Sequence, residues 1–245
     1  MAQPLKSFAV FVLELRNSLK MLGVTIMATT VGLFFLSSRL LTVFQRHLDE
    51  QLYFFSVAGP FLAHVKMAFF GALYLLMPLC MYVLWKAVGK PFRVTGRRLA
   101  WFVAATSLLF YCGTAFCYLV TLPFGIQFLL SFQSEDLQAV ISISRFVNFV
   151  VLFILGFGFV FELPVFMVFS AQVGMIPVSA FARNRRYAVL VIAILAAMLT
   201  PTPDLVNMGL MGGPLYLLYE LGILLIHLLG RSNRSVAPSD DLPAV

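Results

Sequence analysis

The chain has 245 residues, 61% of them hydrophobic and only 11% charged, where soluble domains carry about 25% charged residues. Its mean hydropathy of +0.97 excludes a water-soluble globule and points to a bundle of membrane helices. The net charge of +7 is not a nucleic-acid footprint, because the basic residues cluster between apolar spans, where they set topology.

The first 20 residues, "MAQPLKSFAVFVLELRNSLK", lack the long apolar core and cleavage site of a signal peptide. They are predicted to form an amphipathic helix over residues 4–20. Leu5, Phe8, Val12, Leu15 and Leu19 share one face of it, and Glu14 points away with Ser7 and Ser18. A span needs about 20 apolar residues, and six candidates follow: 21–38, 61–85, 99–128, 146–172, 187–199 and 205–229. Residues 39–60 show helical spacing (Leu41, Phe44, His47, Leu48, Leu52, Phe55) and are predicted to cap the extracytoplasmic side. The fifth span is short. "GLMGGP" interrupts the start of the sixth and leaves 214–229 as its smooth part, so the bilayer is expected to thin there. Domain organisation is thus one six-span domain over 1–230 and a disordered cytoplasmic tail over 231–245, which is polar with two prolines.

Thirteen of the 17 basic residues fall on the side shared by the N-terminal tail, the second and fourth loops and the C-terminal tail. Arg39, Arg46, Arg145 and Lys66 fall on the other. The positive-inside rule then places both termini in the cytoplasm.

Catalytic patterns are not found. The sequence has no HExxH, no GxSxG, no phosphate-binding loop and no pair of intramembrane aspartates. His47, His64 and His227 are dispersed and read as interfacial polar residues. Cys80, Cys112 and Cys117 lie within predicted spans and read as small packing residues. No enzyme activity, metal or cofactor is expected, and no internal repeat supports an inverted-repeat transporter.

What stands out is Glu162 in "GFGFVFELPVFMVF" (156–169). A charge at the centre of a span costs roughly 2.5–3.5 kcal/mol on insertion scales. Pro164 would free the carbonyl of Val160 and kink the helix, and Gly156 and Gly158 permit close helix approach. Glu162 is therefore predicted to face a partly wet groove and to make a polar contact there. Glu220, in "LYELG", stays open between packing and function.

Several segments then occur in one order: "FVLELRNSLK" (11–20), "LLFYCGTAFCYLVTLPFGIQFL" (108–129), "FELPV" (161–165), "RNRRYAVL" (183–190), "LTPTPD" (199–204) and "PLYLLYELG" (214–222). Together they resemble the TatC family, the six-span receptor subunit of the twin-arginine protein translocase. The resemblance implies an all-α integral membrane protein with six transmembrane helices in a concave, glove-like bundle. It implies residence in a prokaryotic cytoplasmic (inner) membrane. It also implies recognition of Arg-Arg signal peptides on folded cargo, transport driven by the protonmotive force, single-span TatA and TatB partners, and self-association in a receptor complex. No nucleic acid is implied.

In the family the signal-peptide site uses the acid that maps onto Glu14, and a carboxylate suits it because guanidinium pairs with it bidentately. Arg16 matches the family arginine that orders this tip. Arg97 and Arg98 match the basic pair of the first cytoplasmic loop, but Gly96 stands where the family carries a second acid. The resemblance places Glu162 in the intramembrane cavity, and Met198, Thr200, Asn207 and Met208 in the partner-helix region. Two other readings remain, a proton-coupled secondary transporter using Glu162 and a membrane scaffold without cargo.

Overall fold

This computed structural model describes residues 3–45, 52–53, 57–90, 94–131, 141–199 and 205–234. They group into two compact units, Met1–Phe159 and Val160–Val245.

The first unit opens with α1, Gln3–Phe34. The amphipathic segment and the first span, predicted as separate pieces, are one helix, because nothing after Pro4 breaks the backbone ladder. At its end Leu36 N–H reaches the Leu33 carbonyl at 2.9 Å, and the chain restarts as α2, Ser37–Gln45. The Ser37 hydroxyl ties this corner to His64 Nδ1 at 3.0 Å. Within the described residues the predicted cap over 39–60 is helical in α2 and again at Gly59 and Pro60, where the next helix begins. Leu52 sits in β1, Leu52–Tyr53, which pairs in parallel with β2, Ile141–Ser142. His47, Leu48 and Phe55 lie outside the described residues.

The second predicted span is two helices, α3 (Gly59–Leu75) and α4 (Met77–Gly89), bent by 57°. Pro78 takes the first turn of α4, where its missing N–H costs nothing. The third is α5 (Arg97–Phe116), a π segment (Cys117–Thr121) and α6 (Leu122–Leu130). The π turn inserts an extra residue per turn just before Pro123 at the start of α6. Helix α7 covers Ile143–Val160.

Helix pairs in this unit meet through aromatic and small residues. Helix α4 closes on α5 by stacking Trp85 on Phe102 at 4.8 Å. Trp85 Nε1–H donates to Thr106 Oγ1 at 3.2 Å. Helix α7 meets α5 at Gly158, where a Cβ would stand 2.5 Å from the Phe110 ring and 2.9 Å from Thr114 Cγ2. Only glycine allows that approach. Leu41, Ala63, Met67, Val147 and Val151 form a further cluster that joins α2, α3 and α7.

The second unit holds α8 (Leu163–Gln172), α9 (Val178–Arg183), α10 (Arg185–Leu199) and α11 (Leu205–Arg234). Helix α11 packs on α8, α9 and α10. Two expectations change here. Helix α11 runs through Pro214 without stopping, so "GLMGGP" is part of a helix; membrane helices tolerate such a residue when local adjustments satisfy the freed carbonyl. The tail is helical through Arg234, four residues into the stretch predicted as disordered, and residues 235–245 lie outside the described ones.

By length and composition three helical stretches can cross a membrane: Arg16–Phe34, Arg97–Phe128 and Ile143–Gln172. The bent pair α3–α4 makes a fourth. Gly212–Leu228 is a shorter apolar helix.

Candidate functional site

Three groups of residues were marked by the sequence. The first lies on α1 and at the start of α5. Glu14 is on α1, with its side chain outside the described ones, and Arg16 is exposed two residues later. Arg97 and Arg98 begin α5, both exposed, and neither hydrogen-bonds or ion-pairs with a described side chain. Gly96, just before them, has φ +61° and ψ −131°. This backbone is reserved for glycine. A Cβ at Gly96 would meet nothing within 4 Å, so the constraint is the dihedral and not space. The place of the family's second acid is therefore a turn whose geometry an L-glutamate would strain.

The second group is Glu162. The chain breaks after Val160, and Glu162 caps the restart of α8, with Pro164 in the first turn. Pro164 stands in the turn after this two-residue interruption of the helical stretch Ile143–Gln172. The Glu162 carbonyl accepts N–H groups of Val165 and Phe166, both at 3.1 Å. Its side chain is 1% exposed, which is drier than the groove predicted from sequence. Within the second unit, Gly222 lets α11 come close to the start of α8, where a Cβ would lie 2.8 Å from Met167 Sδ and 3.3 Å from Pro164 Cα. Among the described residues neither carboxyl oxygen has a hydrogen-bond partner. A buried polar group left without one costs about 1–3 kcal/mol.

Glu220 behaves differently. Its Oε2 accepts from Arg185 at 3.0 Å and its Oε1 from the Tyr216 hydroxyl at 2.9 Å. The neighbouring Tyr219 hydroxyl donates to the Phe181 carbonyl at 2.8 Å. These contacts tie α9 and the start of α10 to α11 and occupy both Glu220 carboxyl oxygens. Sequence spacing could not show this, because its partner is 35 residues away.

The third group is dispersed. Met198 is near the end of α10 and Asn207 near the start of α11, with side chains outside the described ones; Thr200 lies outside the described residues altogether. Met208 is half-buried on α11. The structure brings no two of Glu14, Arg97, Arg98 and Glu162 into a described contact. All three cysteines are free thiols. Among the described residues no group of His, Cys, Asp or Glu could hold a metal ion.

Comparison with known proteins shows the family. The family model described as Sec-independent protein translocase protein (TatC) matches residues 11–214. A protein of that name from Koribacter versatilis is 35% identical over 189 residues, covering 77% of this chain and 69% of its own length. Its namesake from Helicobacter pylori strain J99 is 35% identical over 213 residues, covering 86% and 85%. A crystal structure of the twin-arginine translocase receptor TatC in the detergent DDM superposes with a TM-score of 0.75 at 24% identity, over 88% of this chain and 98% of that one. The chain belongs to the TatC family of Sec-independent protein translocase proteins.

Proposed function

We propose that this chain is the receptor of a twin-arginine translocase. It would recognise Arg-Arg signal peptides at its cytoplasmic end and nucleate a complex that exports folded proteins on the protonmotive force. The observation that carries this reading is the family match across residues 11–214, which spans Glu14, Arg16, Arg97, Arg98, Glu162, Met198, Thr200, Asn207 and Met208. The accompanying topology has six spans, made by α1, α3–α4, α5–α6, α7–α8, α10 and α11, with both termini in the cytoplasm of a prokaryotic cell and a concave face within the inner membrane. At 15 residues and 1.5 Å per residue, α10 is about 22 Å long, so the bilayer would thin around it. Single cysteines at 187 and 200 should then both react with aqueous reagents.

In this reading Glu14 holds the arginine pair. Arg16 orders the tip of α1, since a second cation would repel the peptide. Arg97 and Arg98 flank the site, and the positive φ of Gly96, which would strain an L-glutamate, fits the lack of a second acid beside them. The site then relies on one carboxylate, with backbone carbonyls or a partner protein supplying the remainder. Met198, Thr200, Asn207 and Met208 would meet single-span TatA- and TatB-type helices, and copies of the chain would associate in the same receptor complex. Glu162 would offer its unpartnered carboxyl to a polar group on an inserted signal peptide or partner helix.

The test is crosslinking of a twin-arginine peptide at limiting concentration. Glu14→Gln should weaken it by the loss of one charge-assisted contact, roughly 1.5–3 kcal/mol. Lysine in place of the peptide's arginines should do the same. Unchanged crosslinking would remove Glu14 from the site.

One observation favours a second reading. An unpartnered buried acid also suits a proton-coupled secondary transporter. Uptake of a small solute by the purified protein in liposomes, lost in Glu162→Gln, would establish it in place of the receptor.

A further inference from the structure

The first unit contains a cavity of about 380 Å³ bounded by α2, α3, α5 with its π segment, and α7. Leu40, Phe70, Ala115, Leu119, Val151 and Leu155 are among its walls. The polar atoms along it are already engaged: the Tyr118 hydroxyl donates to the Val43 carbonyl at 3.1 Å, and the Thr114 hydroxyl to the Tyr111 carbonyl at 3.0 Å. The interior thus asks for an apolar guest.

One end of this groove is charged. Lys66 stands one turn before Phe70 on α3, and Asn148 one turn before Val151 on α7; residues three or four apart share a helix face. Lys66 Nζ donates to Asn148 Oδ1 at 3.0 Å. An ammonium has three donors, and among the described residues this is the hydrogen bond it makes; no described acid pairs with it. Exposed Arg145 lies a further turn out on the same helix. A cation with unused donors at the mouth of an apolar groove matches an amphiphile with an anionic head.

A narrow flexible chain can follow the apolar walls between α2, α3, α5 and α7 while its head meets Lys66. We propose that this groove seats one acyl chain of an anionic phospholipid, with the lipid phosphate bound at Lys66.

Native mass spectrometry of the full chain, loaded with phosphatidylglycerol or phosphatidylcholine of identical chains, tests this. The wild-type protein should retain one phosphatidylglycerol about tenfold better than phosphatidylcholine, the worth of a charge-assisted contact. Lys66→Gln keeps the bond to Asn148 but removes the charge, and should bring the two lipids level. Lys66→Arg should keep the preference. Ala115→Trp fills the groove and should lose both lipids. Lys66→Gln alters only the rim, so it carries the test even where Ala115→Trp disturbs folding. Equal retention of the two lipids by the wild type, an unchanged preference in Lys66→Gln, or retention of an added uncharged apolar peptide in place of either lipid overturns the proposal.

Discussion

Thr106 and Glu162 are both buried polar side chains, 0% and 1% exposed, and they are used in opposite ways. Thr106 accepts the indole N–H of Trp85 and donates to the Phe102 carbonyl at 2.8 Å, which closes α4 on α5. Glu162 has two carboxyl oxygens with no partner among the described residues. Buried polar groups are partnered in roughly nine cases of ten. The contrast teaches that a polar residue inside a membrane bundle should be judged by its hydrogen bonds before its burial. A satisfied one is part of the packing, whereas an orphaned one is a candidate for a contact made with another molecule.

The largest effect should come from breaking the satisfied side outright. Trp85→Ala removes the stacked ring and its hydrogen bond, and should cost about 3–5 kcal/mol, read as a lowered midpoint of thermal unfolding in detergent. Thr106→Val keeps the shape but removes the hydroxyl that accepts the Trp85 indole N–H, at a cost of about 1 kcal/mol. A midpoint equal to the wild type would mean that this hydrogen bond contributes nothing. Gly222→Ala presses a methyl group toward Met167 and Pro164. Because Met167 is flexible, the cost should be about 1 kcal/mol, at the low end for an overpacked site. Smallest is Glu162→Met. Exchanging an unpartnered polar group for an apolar one of similar length should leave stability within about 0.5 kcal/mol or raise it. A loss as large as that of Thr106→Val would show that Glu162 has a structural partner after all.

Much of this was legible in the sequence, for identifiable reasons. Apolar run lengths place four of the six expected spans on helices long and apolar enough to cross a membrane, counting the bent pair α3–α4 as one, because the bilayer sets a length and tolerates little charge within it. Gly158 was marked as a point of close helix approach, and the Phe110 ring stands where its Cβ would be. Six segments in one order were enough for the family. The missed features all depend on geometry at longer range or on single dihedrals. The π segment at Cys117–Thr121 leaves no mark in a periodicity averaged over a 32-residue stretch. The tie between Arg185 and Glu220 needs two helices folded together. Pro164 and Pro214 look alike in sequence, yet one follows an interruption of its helical stretch and the other is carried inside a helix, because their surroundings differ and not their chemistry. Gly96 reads as a missing acid until its positive φ shows what the turn requires.

The proposal that Glu162 is held for an incoming polar group, and not for the fold, is tested most directly by measuring stability and transport on one variant. Glu162→Met should be purified, unfolded thermally in detergent, and reconstituted with single-span partners and a folded cargo bearing an Arg-Arg signal peptide. The expected result is an unfolding midpoint at or above the wild type, cargo transport reduced about tenfold for one lost polar contact, and Glu14-dependent peptide crosslinking intact. Wild-type transport with partners assembled normally, or a midpoint lowered as far as that of Thr106→Val, would contradict it.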